Sequence, residues 1–464
     1  MENRGEPVAR TPAPPAVPPA VPPAVPPAEQ AADPAVQRHV LRVLVISQIL
    51  SGAGLAAGIT VGALLAQDML GSTGLAGLPS ALFTAGSACA AIAVSRISAA
   101  RGRRPGLAAG YATGAVGSAG VITAAALDSP ALLFAALFVY GAGTATNLQA
   151  RYAGADLAAP GHRARAVSTV LVATTLGGVL GPNLAAPTGD LAHLLGLPRL
   201  AGPFLLAGLA YAAAALVLAT RLHPDPLLLA RAAAAAVPAT PAAPSPAAPS
   251  PATPSAAAPA PATPAPVLDV PADPAAAARI RNRVLLGAQV MVVTQLVMVA
   301  VMTMTPVHMH DHGHGTAASG LVIALHVAAM YLPSPLTGRL VDRHGPLAVG
   351  AAAGLTLLAA GLVAALAPAD SVALLALALV LLGLGWNFGL VSGTAVITEA
   401  APLATRARTQ GAVDVAIAVS GTTGGLASGA VVDLAGYSAL ALGGGLLALV
   451  ILPALAPPAP RSRR

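Results

Sequence analysis

Twelve apolar runs dominate this sequence, and each is long enough to cross a lipid bilayer as a helix. A transmembrane helix needs about 20 apolar residues to span about 30 Å of hydrocarbon. The runs fall near 41–66, 75–96, 105–127, 130–152, 166–188 and 200–221, then 283–306, 317–338, 345–367, 371–395, 409–431 and 436–456. We therefore predict an all-α integral membrane protein with twelve transmembrane helices.

The composition agrees with this class and excludes others. Hydrophobic residues make up 56% and charged residues only 9% of the 464 positions, whereas a soluble domain carries about 25% charged residues. The 24 basic residues are all arginines and stand singly or in short groups between the apolar runs, so the net charge of +7 does not indicate a nucleic-acid partner. Without lysine there is no phosphate-binding loop. We predict no enzyme activity and no cofactor.

Two segments rich in proline and alanine interrupt the apolar pattern. Residues 11–28 repeat Pro-Pro-Ala-Val, and residues 232–278 are almost entirely Ala, Pro, Ser and Thr. This composition is typical of an extended, solvated chain without a packed core. The predicted parts are a disordered tail at 1–40, a six-helix half at 41–221, a disordered linker at 222–282, a second six-helix half at 283–456 and a tail at 457–464.

The arginines between the runs predict the orientation. If the N-terminus is cytoplasmic, only Arg199 faces outward and the other inter-helix arginines face inward, as the excess of basic residues in cytoplasmic loops requires. The inward set is Arg96, Arg101, Arg103, Arg104, Arg151, Arg163, Arg165, Arg221, Arg339, Arg343, Arg406 and Arg408. We predict a monomeric, multi-pass protein of the plasma membrane, in contact with the lipid bilayer and with both termini in the cytoplasm.

The two halves repeat each other in sequence. An offset of 243 positions (345 minus 102) aligns Gly102 with Gly345. The same offset aligns Arg163-Ala164-Arg165 with Arg406-Ala407-Arg408, and each triplet opens a Gly-rich helix. A 6+6 repeat with a cytoplasmic connection is typical of alternating-access carriers, whose substrate site lies near the midplane between the halves.

The sequence Gly338-x-x-x-Asp342-Arg343-x-Gly345 resembles the cytoplasmic signature of the major facilitator superfamily. In that family the signature lies between helices 2 and 3 and again between helices 8 and 9. Its Asp and Arg make interhelical contacts that latch the outward-open state. The resemblance implies the 6+6 fold of that superfamily, with Gly338, Asp342, Arg343 and Gly345 as a gating latch.

Two other copies of family patterns are incomplete. In the first-half signature, Ser95 and Ala99 stand where Gly and Asp are expected, which puts the latch on that side in doubt. Gly177-x-x-x-Gly181-Pro182 resembles the family's antiporter motif, but Ala185 and Ala186 replace its terminal glycines. Close helix packing through small residues is the alternative explanation for these glycines, and we favour it.

Sulfur and imidazole donors concentrate on helices 7 and 8. Six of the eight methionines and five of the ten histidines lie within forty residues. Met298 and Met302 share one face of helix 7, and His326 and Met330 share one face of helix 8. Met298 lies about 12 Å below the outer end of its helix and His326 about 13 Å below the start of its own. Such a soft sulfur and nitrogen set favours Cu(I) over a hard cation.

These four residues resemble the paired motifs of CcoA-like copper transporters, which are bacterial carriers of the same superfamily that import copper. The pattern is Met298-x-x-x-Met302 and His326-x-x-x-Met330, with His326 placed 24 positions after Met302. The resemblance implies that Met298, Met302, His326 and Met330 bind copper as substrate. The alternative is that the methionines fill gaps in apolar helices. A histidine inside a membrane helix, however, indicates function.

Five further donors lie in the predicted outer loop between helices 7 and 8. They are His308, Met309, His310, His312 and His314. Alternating histidines in an extended or turn segment present several imidazoles to Cu or Zn ions. The loop therefore predicts metal capture at the entrance, and a solvated polar turn is the alternative.

For each polar side chain within the helices, a structural role and a functional role are both open. Asp414 and Glu399 lie near the cytoplasmic surface, where capping or pairing with Arg406 or Arg408 competes with a role in proton transfer. For Arg151, at the end of helix 4, we favour a role as an interface anchor or a latch partner over a role in coupling. Four amides are consistent with either the cavity wall or interhelical hydrogen bonds: Gln48, Asn147, Gln149 and Asn387.

Three functions remain open for this sequence. The first is a copper importer that uses the Met/His site by alternating access. The second is a proton-coupled efflux carrier for drugs or metabolites, so the substrate is either a metal ion or a small molecule. The third is a non-transporting membrane sensor or scaffold, against which the latch motif argues.

Overall fold

The computed structural model describes residues 33–70, 78–236 and 273–452, with side chains except at 55–64, 66–70, 78–81, 178–183, 185 and 316–317. The first half, within these ranges, is helical. Its helices are α1 (Pro34–Leu70), α2 (Leu78–Arg101), α3 (Arg103–Ala126), α4 (Pro130–Ala155), α5 (Arg163–Asn183), α6 (Ala185–Leu194), α7 (Gly202–Arg221) and α8 (Pro226–Ala235).

The second half repeats this pattern. Its helices are α9 (Pro274–Asp311), α10 (Thr316–Tyr331), α11 (Ser334–His344), α12 (Pro346–Leu366), α13 (Val372–Ala400) and α14 (Arg406–Ala448). The range α14 contains two of the predicted spans, and a kink at Gly436, with φ 83° and ψ 168°, separates them. The predicted eighth span is divided into α10 and α11 around Pro333.

The described helices account for the twelve predicted spans. Nine of them, as far as the described residues go, are long and apolar enough to cross a membrane. One of the nine, α14, carries two spans, and α1 and α5 occupy the first and fifth positions. The short α6 continues the fifth position beyond Leu184, and α8 follows the sixth span. The all-α fold with twelve transmembrane helices is confirmed.

Aromatic side chains fill the core of the first half. Tyr111, Tyr140, Tyr211 and Phe204 are fully buried in one apolar cluster, and the ring centroids of Tyr140 and Phe204 lie 5.4 Å apart. The helices approach closely because small residues face these rings. A Cβ on Gly143, for example, would lie 2.4 Å from Cζ of Tyr211. The core of the second half is mainly aliphatic, with Trp386 and Tyr437 as buried aromatic residues.

The two halves meet through α2 with α14 and through α5 with α11. At each contact a glycine of the second half packs against a serine of the first. A Cβ on Gly411 would lie 2.2 Å from Ser95 Oγ, and one on Gly338 would lie 2.6 Å from Ser168 Oγ. The offset of 243 relates Ser95 to Gly338 and Ser168 to Gly411. The sequence repeat is therefore also a structural one at the interface.

The predicted linker differs from the structure at both of its edges. Within 222–282, residues Pro226–Ala235 form α8, and α9 already begins at Pro274. Both helices start with an aspartate cap followed by proline, which favours a first helical turn, and alanine then propagates them. The N-terminal tail is likewise shorter than 1–40, because α1 begins at Pro34. Residues 1–32, 237–272 and 453–464 lie outside the described part.

Candidate substrate site and gating contacts

His326 is the most distinctive polar residue of α10. Its side chain is fully buried, and Nδ1 lies 2.8 Å from the carbonyl oxygen of Leu379 on α13. A carbonyl only accepts, so Nδ1 carries the proton and Nε2 keeps its lone pair. Nε2 is buried and has no hydrogen-bond partner among the described residues. A histidine that binds a metal through one nitrogen commonly donates its other N–H to a carbonyl in this way.

Contacts of α13 with α9 and with α10 show how far along each helix the four predicted ligands lie. On one side it packs against α9, where Gln295 Oε1 accepts a hydrogen bond from Trp386 Nε1 at 2.7 Å. On the other side it packs against α10, where the Met330 carbonyl accepts one from Asn387 Nδ2, also at 2.7 Å. Toward the end of α9 that carries His308, the next turns lie after Gln295 on α9 and before Met330 on α10.

Three of the predicted ligands lie in those turns, and Met330 lies at the level of Asn387. Met298 follows Gln295 by one turn and Met302 by two, and His326 precedes Met330 by one turn. Met298 and Met330 are buried in the same apolar cluster, and Met302 packs against it. By these offsets the four residues are spread over about 10 Å along the two helices that flank α13. No three His, Cys, Asp or Glu side chains in the described ranges group as a metal site, so binding here would depend on the methionine sulfurs.

The predicted outer loop is largely the last turn of α9, which continues to Asp311. Because His308 and His312 are four residues apart, they share a face, and their ring centroids are 4.4 Å apart. His308 also stacks on Tyr437 with the ring centroids 4.3 Å apart. His314 Nε2 lies 2.8 Å from the Ala369 carbonyl oxygen, and Met309 is fully buried.

The five predicted capture donors therefore do not share one face of the helical turn. His308 and His312 form a pair, while His310 lies exposed on another part of the turn. Met309 faces the protein interior. The extended or turn segment predicted for all five donors begins only after Asp311, because the helix of the preceding span continues through His308, Met309 and His310.

Asp342 joins the two halves at the end of the molecule that carries Arg165, Arg339 and Arg406, which we term the arginine end. Its carboxylate lies 2.9 Å from Arg165 Nε. It also accepts from the backbone N–H groups of Ala164 at 3.2 Å and Arg165 at 3.3 Å. A carboxylate at the start of α5 satisfies free N–H groups and complements the helix dipole.

The other residues of the predicted latch have different positions. Gly338 lets α11 approach the backbone of Ala164 on α5. Gly345 has φ 86° and separates α11 from α12, a conformation that favours glycine. Arg343 is exposed beside Asp342.

A buried ion pair crosses between the halves from α4 to α14. Arg151 Nη2 lies 2.8 Å from Asp414 Oδ1, and both side chains are almost completely buried. Tyr152 OH donates to the same oxygen at 3.2 Å, and Arg151 Nε donates to Thr394 Oγ1 at 3.1 Å. The expectation that Asp414 would pair with Arg406 or Arg408 is therefore corrected. Sequence spacing favoured the nearer arginines, whereas helix packing brought α4 to Asp414.

A second buried network was not predicted from the sequence. Arg103 on α3 lies 2.7 Å from Asp156, which follows α4, and 2.5 Å from Gln410 Oε1 on α14. Arg406 approaches the same carboxylate at 3.9 Å. The surviving Gly102-Arg103-Arg104 of the first-half signature was the available signal. Its aspartate partner lies 53 positions along the chain, and no local pattern indicates that pairing.

The buried amides form interhelical hydrogen bonds. Gln48 Nε2 donates to the Asn147 carbonyl at 3.1 Å, and Asn147 Nδ2 donates to Ser51 Oγ at 2.9 Å. Gln149 Nε2 donates to the Ala91 carbonyl at 2.8 Å. Together with Asn387, these residues fit a packing role rather than a place in the cavity wall.

Comparison with known proteins identifies the family. The sequence model of the Major Facilitator Superfamily matches residues 44–332 and 290–464. This chain belongs to the Major Facilitator Superfamily. As a member of that superfamily it is a multi-pass membrane protein and a secondary transporter, not an enzyme. The sensor or scaffold alternative is set aside.

Relatives agree with this assignment over most of the chain. An uncharacterized MFS-type transporter, YdeG of Bacillus subtilis (strain 168), is 52% identical over 413 residues, which is 88% of this chain and 89% of that protein. The riboflavin transporter RfnT of Brucella anthropi (strain ATCC 49188) is 28% identical over 375 residues, which is 80% of this chain and 83% of that protein.

The solved structures agree in fold. The human organic anion transporter MFSD10 (TETRAN) has a TM-score of 0.68 at 18% identity, covering 90% of this chain and 99% of that one. At that identity the likeness concerns the superfamily fold alone.

Proposed function

We propose that this superfamily carrier imports copper by alternating access and binds it through Met298, Met302, His326 and Met330. The observation that carries the proposal is the buried Nε2 of His326, which has no partner among the described residues while Nδ1 is held by Leu379. An unsatisfied buried polar atom costs about 1–3 kcal/mol. A soft metal ion bound by this nitrogen and by thioether sulfurs would satisfy the buried atom and remove that cost.

The path to this site begins at the end of α9 that carries His308, His312 and His314, which we term the histidine end. His308 and His312 offer two imidazoles one helical turn apart. Under the proposal they receive the metal first, and Met302 and Met298 lie deeper along the same helix. The arginine end is closed by Asp342 and Arg151, so release requires that end to open.

A second candidate is the transport of an organic metabolite. The specific observation in its favour is the relative RfnT, which is described as a riboflavin transporter. Under this alternative Met298 and Met330 are packing residues, in agreement with their burial in the apolar core. Transport in the opposite direction, as efflux, belongs to the same alternative.

Uptake of labelled substrates by whole cells separates the candidates. The full chain is expressed in a copper-starved host, and accumulation of radioactive copper and of riboflavin is measured side by side. The copper proposal expects copper uptake to fall about tenfold in Met298→Leu and in His326→Gln, because each loses one ligand. Leucine keeps the side-chain volume without sulfur, and glutamine retains an N–H for Leu379.

Met291→Leu is the matched control. Met291 is buried on α9 and packs against Gly393, outside the proposed ligand set. Unchanged copper uptake in Met298→Leu and His326→Gln would contradict the proposal. Riboflavin uptake without copper uptake would favour the metabolite alternative.

A further inference from the structure

The first-half signature lacks the carboxylate that closes the interface in the second half. Asp342 caps α5 through Ala164 and Arg165. The offset of 243 places Ala99 at the position of Asp342. A methyl side chain cannot accept these hydrogen bonds, and Thr405, the residue before α14, makes no side-chain cap. Arg103 of α3 reaches Gln410 of α14 beside this point, but Ala99 of α2 offers α14 no side-chain cap.

Arg231 on α8 provides a polar connection at this point. Its Nη1 donates to the Ala99 carbonyl oxygen at 2.8 Å. Its Nε and Nη2 donate to the carbonyl oxygens of Leu403 and Ala404, each at 3.2 Å. Ala99 belongs to the last turn of α2 in the first half, and residues 403–404 immediately precede α14 in the second half. One guanidinium therefore joins the two halves where the carboxylate is missing.

The three acceptors are all carbonyl oxygens, and the helix dipole favours a cation at one of them, that of Ala99. Carbonyl groups in the last turn of a helix have no intrahelical partner and carry partial negative charge. Ala99 lies in the last turn of α2, and Leu403 and Ala404 follow the end of α13 at Ala400. Hydrogen bonds with an ionised donor are about twice as strong as neutral ones. The planar guanidinium also reaches several acceptors at once, which a lysine cannot do.

The helix that carries Arg231 is fixed to the first half at its other end. Asp225 caps α8 by accepting from Leu227 N at 3.0 Å, and it also accepts from Arg104 N at 2.7 Å. The Asp225 carboxylate covers Gly102, where a Cβ would lie 2.4 Å from Oδ2 and where φ is 97°. Leu227 is fully buried. Since α8 is anchored to α3 in this way, Arg231 projects from a rigid support.

We propose that Arg231 is a gating residue that replaces the missing carboxylate of the first-half signature and holds the arginine end closed between α2 and α14. Alternating access requires the halves to separate at this end, so the bonds to Leu403 and Ala404 break in each transport cycle. The inference rests on membership of the transporter superfamily and does not depend on copper. It also makes the start of the linker between the halves part of the gate.

Distance measurements between spin labels on the full chain test this proposal. With the exposed Cys89 replaced by serine, labels are attached to Arg101→Cys at the end of α2 and Arg408→Cys at the start of α14, both exposed positions. In Arg231→Ala we expect the population of long label distances to rise at least threefold over the parent protein. Arg231→Lys, with fewer and less planar donors, should give an intermediate distribution.

The decisive variant restores the carboxylate. Arg231→Ala combined with Ala99→Asp should return the distance distribution to that of the parent, because the introduced carboxylate would cap α14 as Asp342 caps α5. Arg279→Ala is the control, since Arg279 pairs at 3.6 Å with Asp273 at the start of its own helix. A distribution in Arg231→Ala equal to that of Arg279→Ala would overturn the gating role. Opening that Ala99→Asp fails to reverse would overturn the replacement of the carboxylate.

Discussion

One buried ion pair connects single residues of the two halves at their interface. Arg151 and Asp414 are both removed from water, and each belongs to a different half. Arg151 also contacts Thr394, its equivalent in the sequence repeat at an offset of 243 (394 minus 151). The pair therefore lies beside the axis that relates the halves, and it separates only if the halves move apart.

Removing one partner of this pair leaves the other charge buried. We expect Arg151→Met or Asp414→Leu to destabilise the closed protein by about 3–5 kcal/mol, and the double variant to recover most of the loss because no unpaired charge remains. Thermal unfolding of the purified protein in detergent measures both effects. Equal destabilisation by the single and double variants would show that the ion pair is not the origin of the loss.

Helices determine how closely the halves approach. Gly338 on α11 faces α5, where a Cβ would lie 2.6 Å from Ser168 Oγ and 2.8 Å from the Ala164 carbonyl oxygen. The equivalent contact on the other side of the interface is Gly411 of α14 against Ser95 of α2. Small residues are what allow two membrane helices such close contact.

Gly338→Ala should therefore push α11 away from α5. Spin labels at His162→Cys and Arg339→Cys, in the Cys89→Ser background, are expected to report a larger separation at the arginine end. Gly443→Ala is the matched control, because no atom of the described residues lies within 4 Å of the position that its methyl group would occupy. An unchanged distance in both variants would contradict the role of Gly338 in helix packing.

The stability of α8 depends on its N-terminal cap, Asp225. Asp225→Ala removes the acceptor for Leu227 N and Leu228 N and also for Arg104 N. A lost cap costs about 1 kcal/mol, so we expect faster amide hydrogen exchange across 226–235. Asp273→Ala, which removes the cap of α9, serves as comparison and should leave α8 protected. Unchanged exchange in α8 would argue against the anchoring role of Asp225.

At the scale of the whole molecule, the prediction concerns which end faces the cytoplasm. The excess of arginine at one end predicts that this end is inside. A membrane-impermeant thiol reagent applied to intact cells should label His312→Cys and leave His162→Cys unlabelled, both in the Cys89→Ser background. Permeabilised cells, in which both positions should react, are the control. The reverse labelling pattern would invert the predicted orientation and the predicted direction of copper transport.

The sequence alone determined the features that depend on local chemistry. Twelve apolar runs predict twelve membrane helices because hydrophobic length is a property of each segment. The offset of 243 predicts the two related halves. Resemblance to the superfamily signature indicated an interhelical contact at Gly338 and Asp342 before their partners were known. Met298 and His326 were predicted as ligands from spacing along single helices, and this remains a prediction.

Only the tertiary structure decided which distant groups meet. Arg151 pairs with Asp414 across 263 positions and Arg231 reaches Leu403 across 172, because helices from different halves are packed together. The tautomer of His326, whose Nε2 is unpaired among the residues that the structure describes, also depends on the carbonyl of Leu379 on another helix. Hydrophobicity and spacing act along one segment, whereas these contacts are selected by the geometry between segments. For that reason the repeat predicted a symmetric carrier, and only the structure placed Arg231 where one half had lost its carboxylate.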